Sequence, residues 1–105
     1  MSMVSRNVLS QRRLCETFDI WHGGQRFHVS IGRAPDGSLA EIFINGGKSG
    51  SDLEAVARDA AVILSIALQY GVPLNPVCHA ITRDANGSPS SIIGATLEHL
   101  TERDD

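Results

Sequence analysis

The stretch that decides the fold of this chain is Glu41-Ile42-Phe43-Ile44-Asn45-Gly46-Gly47-Lys48-Ser49-Gly50-Ser51-Asp52-Leu53-Glu54. It opens with Ile42-Phe43-Ile44, β-branched and aromatic residues of the kind that is enriched in strands. A glycine-rich loop with one lysine follows. Ser51, with Glu54 three residues later, is the capping-box signature of a helix start. We therefore predict a strand, a loop and a helix that runs to about Tyr70, since Pro73 prevents its continuation.

Two further strands precede this stretch. Polar and apolar residues alternate over residues 17–22 and again over residues 25–31. Between them lies Gly23-Gly24, which favours a two-residue hairpin turn because such turns need positive φ. Residues 34–37, Ala-Pro-Asp-Gly, predict a second turn before the third strand over residues 39–45. The expected arrangement is a three-stranded antiparallel meander.

The two turns also predict the register of the strands. With a two-residue first loop and a four-residue second loop, every aliphatic side chain falls on one side of the sheet. The opposite side collects polar residues and two aromatic ones. The predicted pairs are Phe18–Val29, Ile20–Phe27, Ile31–Ala40, Val29–Ile42, Phe27–Ile44, Asp19–His28 and Trp21–Arg26.

A helical apolar stripe is expected to cover the aliphatic side of the sheet. Two shorter helices should follow, over residues 75–82 and from Ser90 or Ser91 to about Leu100, with a loop over residues 84–89 between them. The fold class is therefore α+β. The stripe of the long helix consists of Leu53, Val56, Ala57, Ala60, Ile63, Leu64, Ala67 and Leu68.

Length and composition predict one domain. The chain has 105 residues, a hydrophobic content of 42%, a net charge of −3 and a sequence pI near 5.7. The acidic balance argues against general nucleic-acid binding, and no apolar run is long enough to cross a bilayer. We expect a cytoplasmic protein in which Cys15 and Cys78 are reduced thiols. Residues 1–11 are predicted to form a flexible arm, residues 12–101 the domain, and residues 102–105 a frayed end.

Three segments carry a resemblance to a known family: residues 41–44, residues 47–50 and residues 65–74, Ser-Ile-Ala-Leu-Gln-Tyr-Gly-Val-Pro-Leu. They resemble the TSCPD domain, which is found near the C-terminus of vitamin B12-dependent (class II) ribonucleotide reductases and in short stand-alone proteins. The similarity runs from about Arg12 to Leu100. The resemblance implies a module related to these reductases.

The resemblance does not bring the reaction with it. Ribonucleotide reduction in this family uses a large barrel, a cobalamin site and reducing cysteines, and 105 residues cannot contain that barrel. The Cys-Pro-Asp element that names the domain is also missing, and Ser88-Pro89-Ser90 stands in that neighbourhood. We therefore expect no catalytic residues and no cofactor. A reductase activity could be assigned to this chain only by family similarity.

The glycine loop is one candidate site. Backbone N–H groups in such a loop, together with a helix N-terminus and Lys48, could hold a phosphate-containing small molecule. The loop is not a P-loop, because Ile42 occupies the first glycine position of that motif. Alternatively, the glycines only reverse the chain and Lys48 is a solvated charge. The candidate residues are Gly46, Gly47, Lys48, Ser49, Gly50 and Ser51.

The side of the sheet away from the long helix is the second candidate site. Trp21, Arg26, His28 and Phe43 lie on that side of the predicted meander and form a candidate contact patch. The expected partner is a copy of the chain, giving a homodimer, or a reductase-related protein. The alternative is that the last helix or the N-terminal arm covers the patch within the same chain.

Metal binding and hydrolysis are less well supported. The four histidines and two cysteines lack the paired spacing of a structural zinc site, so we predict no metal. Asp19 and His28 are expected to pair, but only Ser30 on the strand of His28 could serve as a nucleophile beside them.

Overall fold

The structure of the chain, a computed structural model, describes residues 15–47 and 50–104. The predicted arm over residues 1–11 lies outside the described residues. Three strands are followed by three helices, which confirms the α+β class and the order of elements. The elements are β1 (Cys15–His22), β2 (Gln25–Arg33), β3 (Leu39–Gly46), α1 (Asp52–Gln69), α2 (Leu74–Ala80) and α3 (Ile92–Asp104).

The first hairpin has the predicted register. The sheet order is β1-β2-β3, and both neighbouring pairs are antiparallel. Gly23 and Gly24 form the turn with φ of 58° and 77°, a region that favours glycine. Phe18 pairs with Val29 as predicted, and Ile20 likewise pairs with Phe27.

The second hairpin is shifted by two residues from the predicted register. Val29 pairs with Ile44 rather than with Ile42. One residue of the shift arises because the loop comprises residues 34–38 and not four residues. The other arises from a bulge, at which Ala40 has no partner in the register. Because a shift of two preserves the side of every side chain, the aliphatic residues still share one side of the sheet.

That aliphatic side forms the core. Phe27, Val29 and Ile42 are fully buried. Helix α1 packs along β3, while α3 lies against β1, where the rings of Phe18 and His99 stack with centroids 4.6 Å apart. Two helices therefore share a sheet that is only three strands wide.

The predicted stripe of α1 is correct only in part. Ala57 and Leu64 are buried, and so is Ala61, which the prediction omitted. Val56 and Ile63, predicted to face the sheet, are 56% and 69% exposed. The cause is the sharing of the sheet with α3, since α1 contacts β3 through a narrow arc of its surface.

The remaining elements differ from the prediction at their ends. Helix α2 starts one residue earlier than predicted and ends at Ala80, and α3 continues past Leu100 to Asp104. Cys78 is buried and Cys15 exposed, and they form no disulfide. None of the helices in the described ranges has the length and apolar character needed to cross a membrane.

Candidate functional site

The outer side of the sheet carries a polar cluster beside an exposed tryptophan. Trp21 is 70% exposed and pairs in the register with Arg26. In the next row, His28 Nδ1 donates a hydrogen bond to Asp19 Oδ1 at 2.7 Å. Arg26 Nε lies 3.9 Å from Asp19 Oδ2. Such exposed pairs contribute about 0–1 kcal/mol each, so they hold the side chains in place more than they stabilise the fold.

Phe43 lies on the same side of the sheet but on β3, the strand furthest from β1. It is 46% exposed and pairs in the register with Ser30, which is four residues from Arg26 along β2. The Cα atoms of Trp21 and Phe43 are therefore roughly 16 Å apart, from a strand spacing of about 4.8 Å and a rise of about 3.3 Å. An open cleft of about 590 Å³ beside Phe43 is also lined by Arg58 and Val62 of α1. The four predicted interface residues thus share one side of the sheet but do not form one apolar patch.

The glycine loop turns the chain from β3 into α1. Gly46 has φ of 119°, and a Cβ there would lie 2.7 Å from the backbone oxygen of Arg26. Gly47 has φ of 71°, and its N–H donates to that same oxygen at 3.2 Å. Glycine is therefore required where the loop passes over β2. Lys48 and Ser49 of the predicted anion site lie outside the described residues.

The end of this loop is a capped helix start. Ser51 Oγ accepts a hydrogen bond from the N–H of Glu54 at 3.1 Å, as the capping box predicts. The Glu54 carboxylate accepts from the N–H of Gly50 at 3.3 Å. With Asp52, it places two acidic residues in the first turn of α1. An incoming anion would meet these carboxylates at the positive end of the helix. Anion binding at this loop stays a prediction.

The most specific stretch of the family resemblance, residues 65–74, has a structural role. Ser65 Oγ, buried in α1, accepts a hydrogen bond from the N–H of Ile42 at 2.8 Å. Its own proton has two acceptors within reach, the carbonyl oxygens of Ile42 at 3.0 Å and Ala61 at 2.8 Å. Four residues on, Gln69 Nε2 donates to the carbonyl of Ala40 at 3.1 Å. Two polar side chains of α1 therefore bind the outer edge of β3, which is an edge strand of the described sheet.

The same stretch ends α1. The N–H of Val72 donates to the carbonyl of Ala67, and the N–H of Gly71 donates to that of Leu68. These two bonds, with φ of 91° at Gly71, form a Schellman motif. Residues 65–74 carry the family resemblance, and in the structure they hold α1 to the sheet and end the helix. Sequence reasoning missed this role, although a serine and a glutamine inside an apolar helix were a visible signal.

An apolar groove separates the three helices. It has a volume of about 330 Å³ and is lined almost wholly by aliphatic side chains. The α1 wall is the part of the predicted stripe that turns away from the sheet. The opposite wall comes from α2 and α3. The groove is lined by Ala60, Ile63, Ala67, Val77, Ile81 and Ile93, among others.

The polar pairs of the described residues do not assemble a nucleophile. Ser30 Oγ lies 3.3 Å from Thr17 Oγ1, while His28 is bonded to Asp19. The order Ser–His–Asp needed to activate a serine is therefore not formed on β2.

A second group of serine, histidine and aspartate residues joins β1 to the loop before α3. Ser90 Oγ donates to Asp84 Oδ1, and His22 Nε2 donates to the backbone carbonyl of Ser90 at 3.2 Å. The histidine thus holds the loop and does not touch the hydroxyl. In residues 15–47 and 50–104, no three His, Cys, Asp or Glu side chains are grouped so that they could hold a metal ion.

Together these features define a small α+β domain with a structural signature motif, an exposed aromatic sheet face and an exposed apolar groove. The sequence profile of the TSCPD domain matches residues 5–101. The chain belongs to the TSCPD domain family, which confirms the predicted resemblance.

Similar curated proteins are vitamin B12-dependent ribonucleotide reductases. The chain is 36% identical to that of Bradyrhizobium diazoefficiens over 80 residues, which cover 76% of this chain and 6% of the reductase. It is 36% identical to that of Agrobacterium fabrum over 77 residues, or 73% of this chain and 6% of the reductase. The reductase of Rhodopirellula baltica is 35% identical over 68 residues, or 65% of this chain and 6% of the reductase. No solved structure matches the chain significantly.

Proposed function

We propose that this chain is a non-catalytic binding or regulatory module of the cytoplasm, which acts by self-association or by docking on a reductase-related protein. One observation carries the proposal. Trp21 is the only tryptophan of the chain and the second-to-last residue of β1, and it is 70% exposed. Tryptophan and arginine are the residues that most often dominate protein interfaces, and Arg26 is its neighbour in the register.

The family supports the identity of the partner. The chain spans 6% of the length of the Bradyrhizobium and Agrobacterium reductases that it resembles. In those proteins the matching segment belongs to a much larger polypeptide. A separate copy of such a segment can contact the surface that the covalently attached domain contacts. This contact with the reductase would use the outer side of the sheet, because residues 65–74 already hold α1 to β3.

The test is binding to the vitamin B12-dependent ribonucleotide reductase of the same cell. The full chain is immobilised, and the affinity of the reductase is compared with that for the double variant Trp21→Ala, Phe43→Glu. We expect a loss of at least about 30-fold, since a buried aromatic anchor contributes about 2 kcal/mol or more.

Val72→Ala is the control, because Val72 is a comparably exposed apolar residue, 39% exposed, in the turn after α1 and away from the outer side of the sheet. The control should bind as the wild type does. Equal binding by the double variant and the wild type would remove the sheet face from the contact. Failure of the wild-type chain to bind the reductase would refute docking on that protein.

The alternative function is binding of a phosphate-containing small molecule at residues 46–51. Lys48 is the only lysine of the chain, so Lys48→Ala removes the one ammonium group that the loop can offer. A phosphate titration followed at the amides of Gly47 and Gly50 tests the alternative. Shifts that saturate in the wild type and vanish in Lys48→Ala would support it. Unshifted amides at millimolar phosphate would exclude it.

A further inference from the structure

One row of apolar residues on α1 and its C-cap has a coiled-coil spacing; its large members are exposed and its two alanines are half-buried, while the exposed Val62 and Ile66 lie outside the row. The residues of the row recur at alternating intervals of three and four residues, the heptad pattern of a helix that packs against another helix. Over three repeats the row extends about 25 Å along α1. We call this row the α1 seam. It consists of Leu53, Val56, Ala60, Ile63, Ala67 and Tyr70.

The seam is turned away from the sheet. Val56 and Ile63 are the most exposed aliphatic residues of α1, and Leu53 is 42% exposed. The buried arc that contacts β3 is centred on Ala61 and Ser65, more than a quarter turn round the helix. Ala60 and Ala67 are half-buried beside the groove, whereas the large side chains Val56 and Ile63 remain mostly exposed and add little to the core of a single copy.

Large and small residues alternate along the seam in a self-complementary way. If two copies of α1 pair antiparallel about a two-fold axis, Ile63 of one copy faces Ala60 of the other, and Val56 faces Ala67. Each inner layer then holds one large and one small side chain, which lets the helices approach closely. A parallel pairing would instead place Ile63 on Ile63 and Ala60 on Ala60, leaving the layers unequal.

The available area fits a small symmetric interface. The exposed fractions of Leu53, Val56, Ile63 and Tyr70 amount to roughly 350 Å² per copy, taking about 150–200 Å² for a whole large side chain. Val77 of α2 and Ile81, which follows α2, extend this surface along the groove. A standard interface buries about 800 Å² per partner, of which about 65% is apolar in homodimers. The seam and its groove wall therefore supply most of the apolar part.

Charges do not oppose this pairing. The acidic residue beside the middle of the seam is Asp59, and in the antiparallel arrangement it faces Ile66 of the other copy. Asp52 lies at the outer end of the interface. The carboxylates of the two copies are thus kept apart.

We propose that the chain forms a two-fold dimer in which the α1 seam of one copy packs antiparallel against that of a second copy. This inference deepens the proposed function and rests on its premise that the chain works through protein contacts. It assigns self-association to α1 and leaves the outer side of both sheets available for the reductase-related partner.

The oligomeric state of the full chain provides the first test. Light scattering at up to about 1 mM protein should give twice the monomer mass of 11.3 kDa. Ile63→Glu should weaken the dimer on the order of 100-fold, because each copy buries an unpaired carboxylate. Val62→Glu is the matched control, since Val62 is 52% exposed on the same helix but lies outside the seam. Circular dichroism should show equal helix content in all three proteins.

A mixing experiment tests the antiparallel register. A60K and I63E should each be monomeric, and an equimolar mixture should recover a dimer, because the introduced lysine and glutamate then face each other across the axis. In a parallel pair these positions do not meet.

Four results would overturn the proposal: a monomeric wild type, a dimer that survives Ile63→Glu, loss of the dimer in a folded Val62→Glu, or no recovery on mixing.

A monomeric wild type whose seam amides shift only with added reductase would assign the seam to that partner instead. A monomer in which Ile63→Glu perturbs the signals of residues 1–14 would assign it to the chain's own first residues. Loss of reductase binding with an intact dimer would refute the proposed docking and leave this inference standing.

Discussion

Replacing Ser65 by alanine should weaken the attachment of α1 to the outer edge of β3. The hydroxyl accepts a hydrogen bond from the buried N–H of Ile42, on the outer edge of β3, at 2.8 Å. A buried donor left without an acceptor costs about 1–3 kcal/mol. Alanine is favoured over serine inside a helix by about 0.5 kcal/mol, which offsets part of this loss. The expected net decrease in the free energy of unfolding is about 1–2 kcal/mol.

The control is Thr96→Val. Thr96 is also fully buried, and its Oγ1 also donates to the carbonyl four residues earlier, that of Ile92 at 2.9 Å. Its bond stays within one helix, so its removal leaves no N–H of another element without a partner. The expected cost is at most about 1 kcal/mol.

Urea unfolding followed by circular dichroism measures both variants. With a slope of about 1–3 kcal/mol per molar urea, Ser65→Ala should lower the midpoint by roughly 0.5–1 M. Hydrogen exchange should show that protection of the Ile42 amide falls by more than the global loss of stability. A Ser65→Ala protein as stable as Thr96→Val, with the Ile42 amide still protected, would refute the role assigned to this serine.

Two further predictions concern the turns. Gly46→Ala should lower the free energy of unfolding by at least about 3 kcal/mol, because φ is 119° and the new Cβ would lie 2.7 Å from the backbone oxygen of Arg26. Gly37→Ala should lower it by only about 1–2 kcal/mol, because φ is 89° but the new Cβ would meet no neighbouring atom. Thermal unfolding of the two variants compares these losses. The pKa of Asp36 should lie below its ordinary 3.8, since Ser38 Oγ and N–H donate to its carboxylate. Ser38→Ala should raise this pKa in an NMR titration. Because the folded pKa is lowered, the turn contributes stability above the unfolded pKa of about 3.9 and loses it as the pH falls through the folded value.

The strands were predictable from sequence because their turns are short and marked by glycine. Gly23-Gly24 leaves one choice of register for β1 and β2, and the structure has it. The second hairpin was less determined, because the sequence does not mark the bulge at Ala40. In the structure the carbonyl of this residue accepts from Gln69, a contact made by a helix 29 residues further along the chain. No local pattern contains that information.

The candidate site was predictable to a similar degree. Alternation along the strands placed Trp21 and Phe43 on the outer side, but the distance between them depends on the register of the second hairpin. The apolar positions of α1 were all visible in the sequence. Their division into a buried arc at Ala61 and an exposed seam at Ile63 was not, because both are apolar and only the docking of α3 on β1 decides which arc meets the sheet.

The most direct measurement uses the single tryptophan as a reporter. 5-Fluorotryptophan incorporated at Trp21 gives one ¹⁹F resonance, which can be followed while unlabelled reductase is added to the full chain. We predict that the resonance shifts and broadens on addition of the reductase but not on concentrating the chain alone, since the α1 seam lies away from this face. An unchanged resonance in the presence of bound reductase would contradict the claim that the chain acts through the exposed side of its sheet.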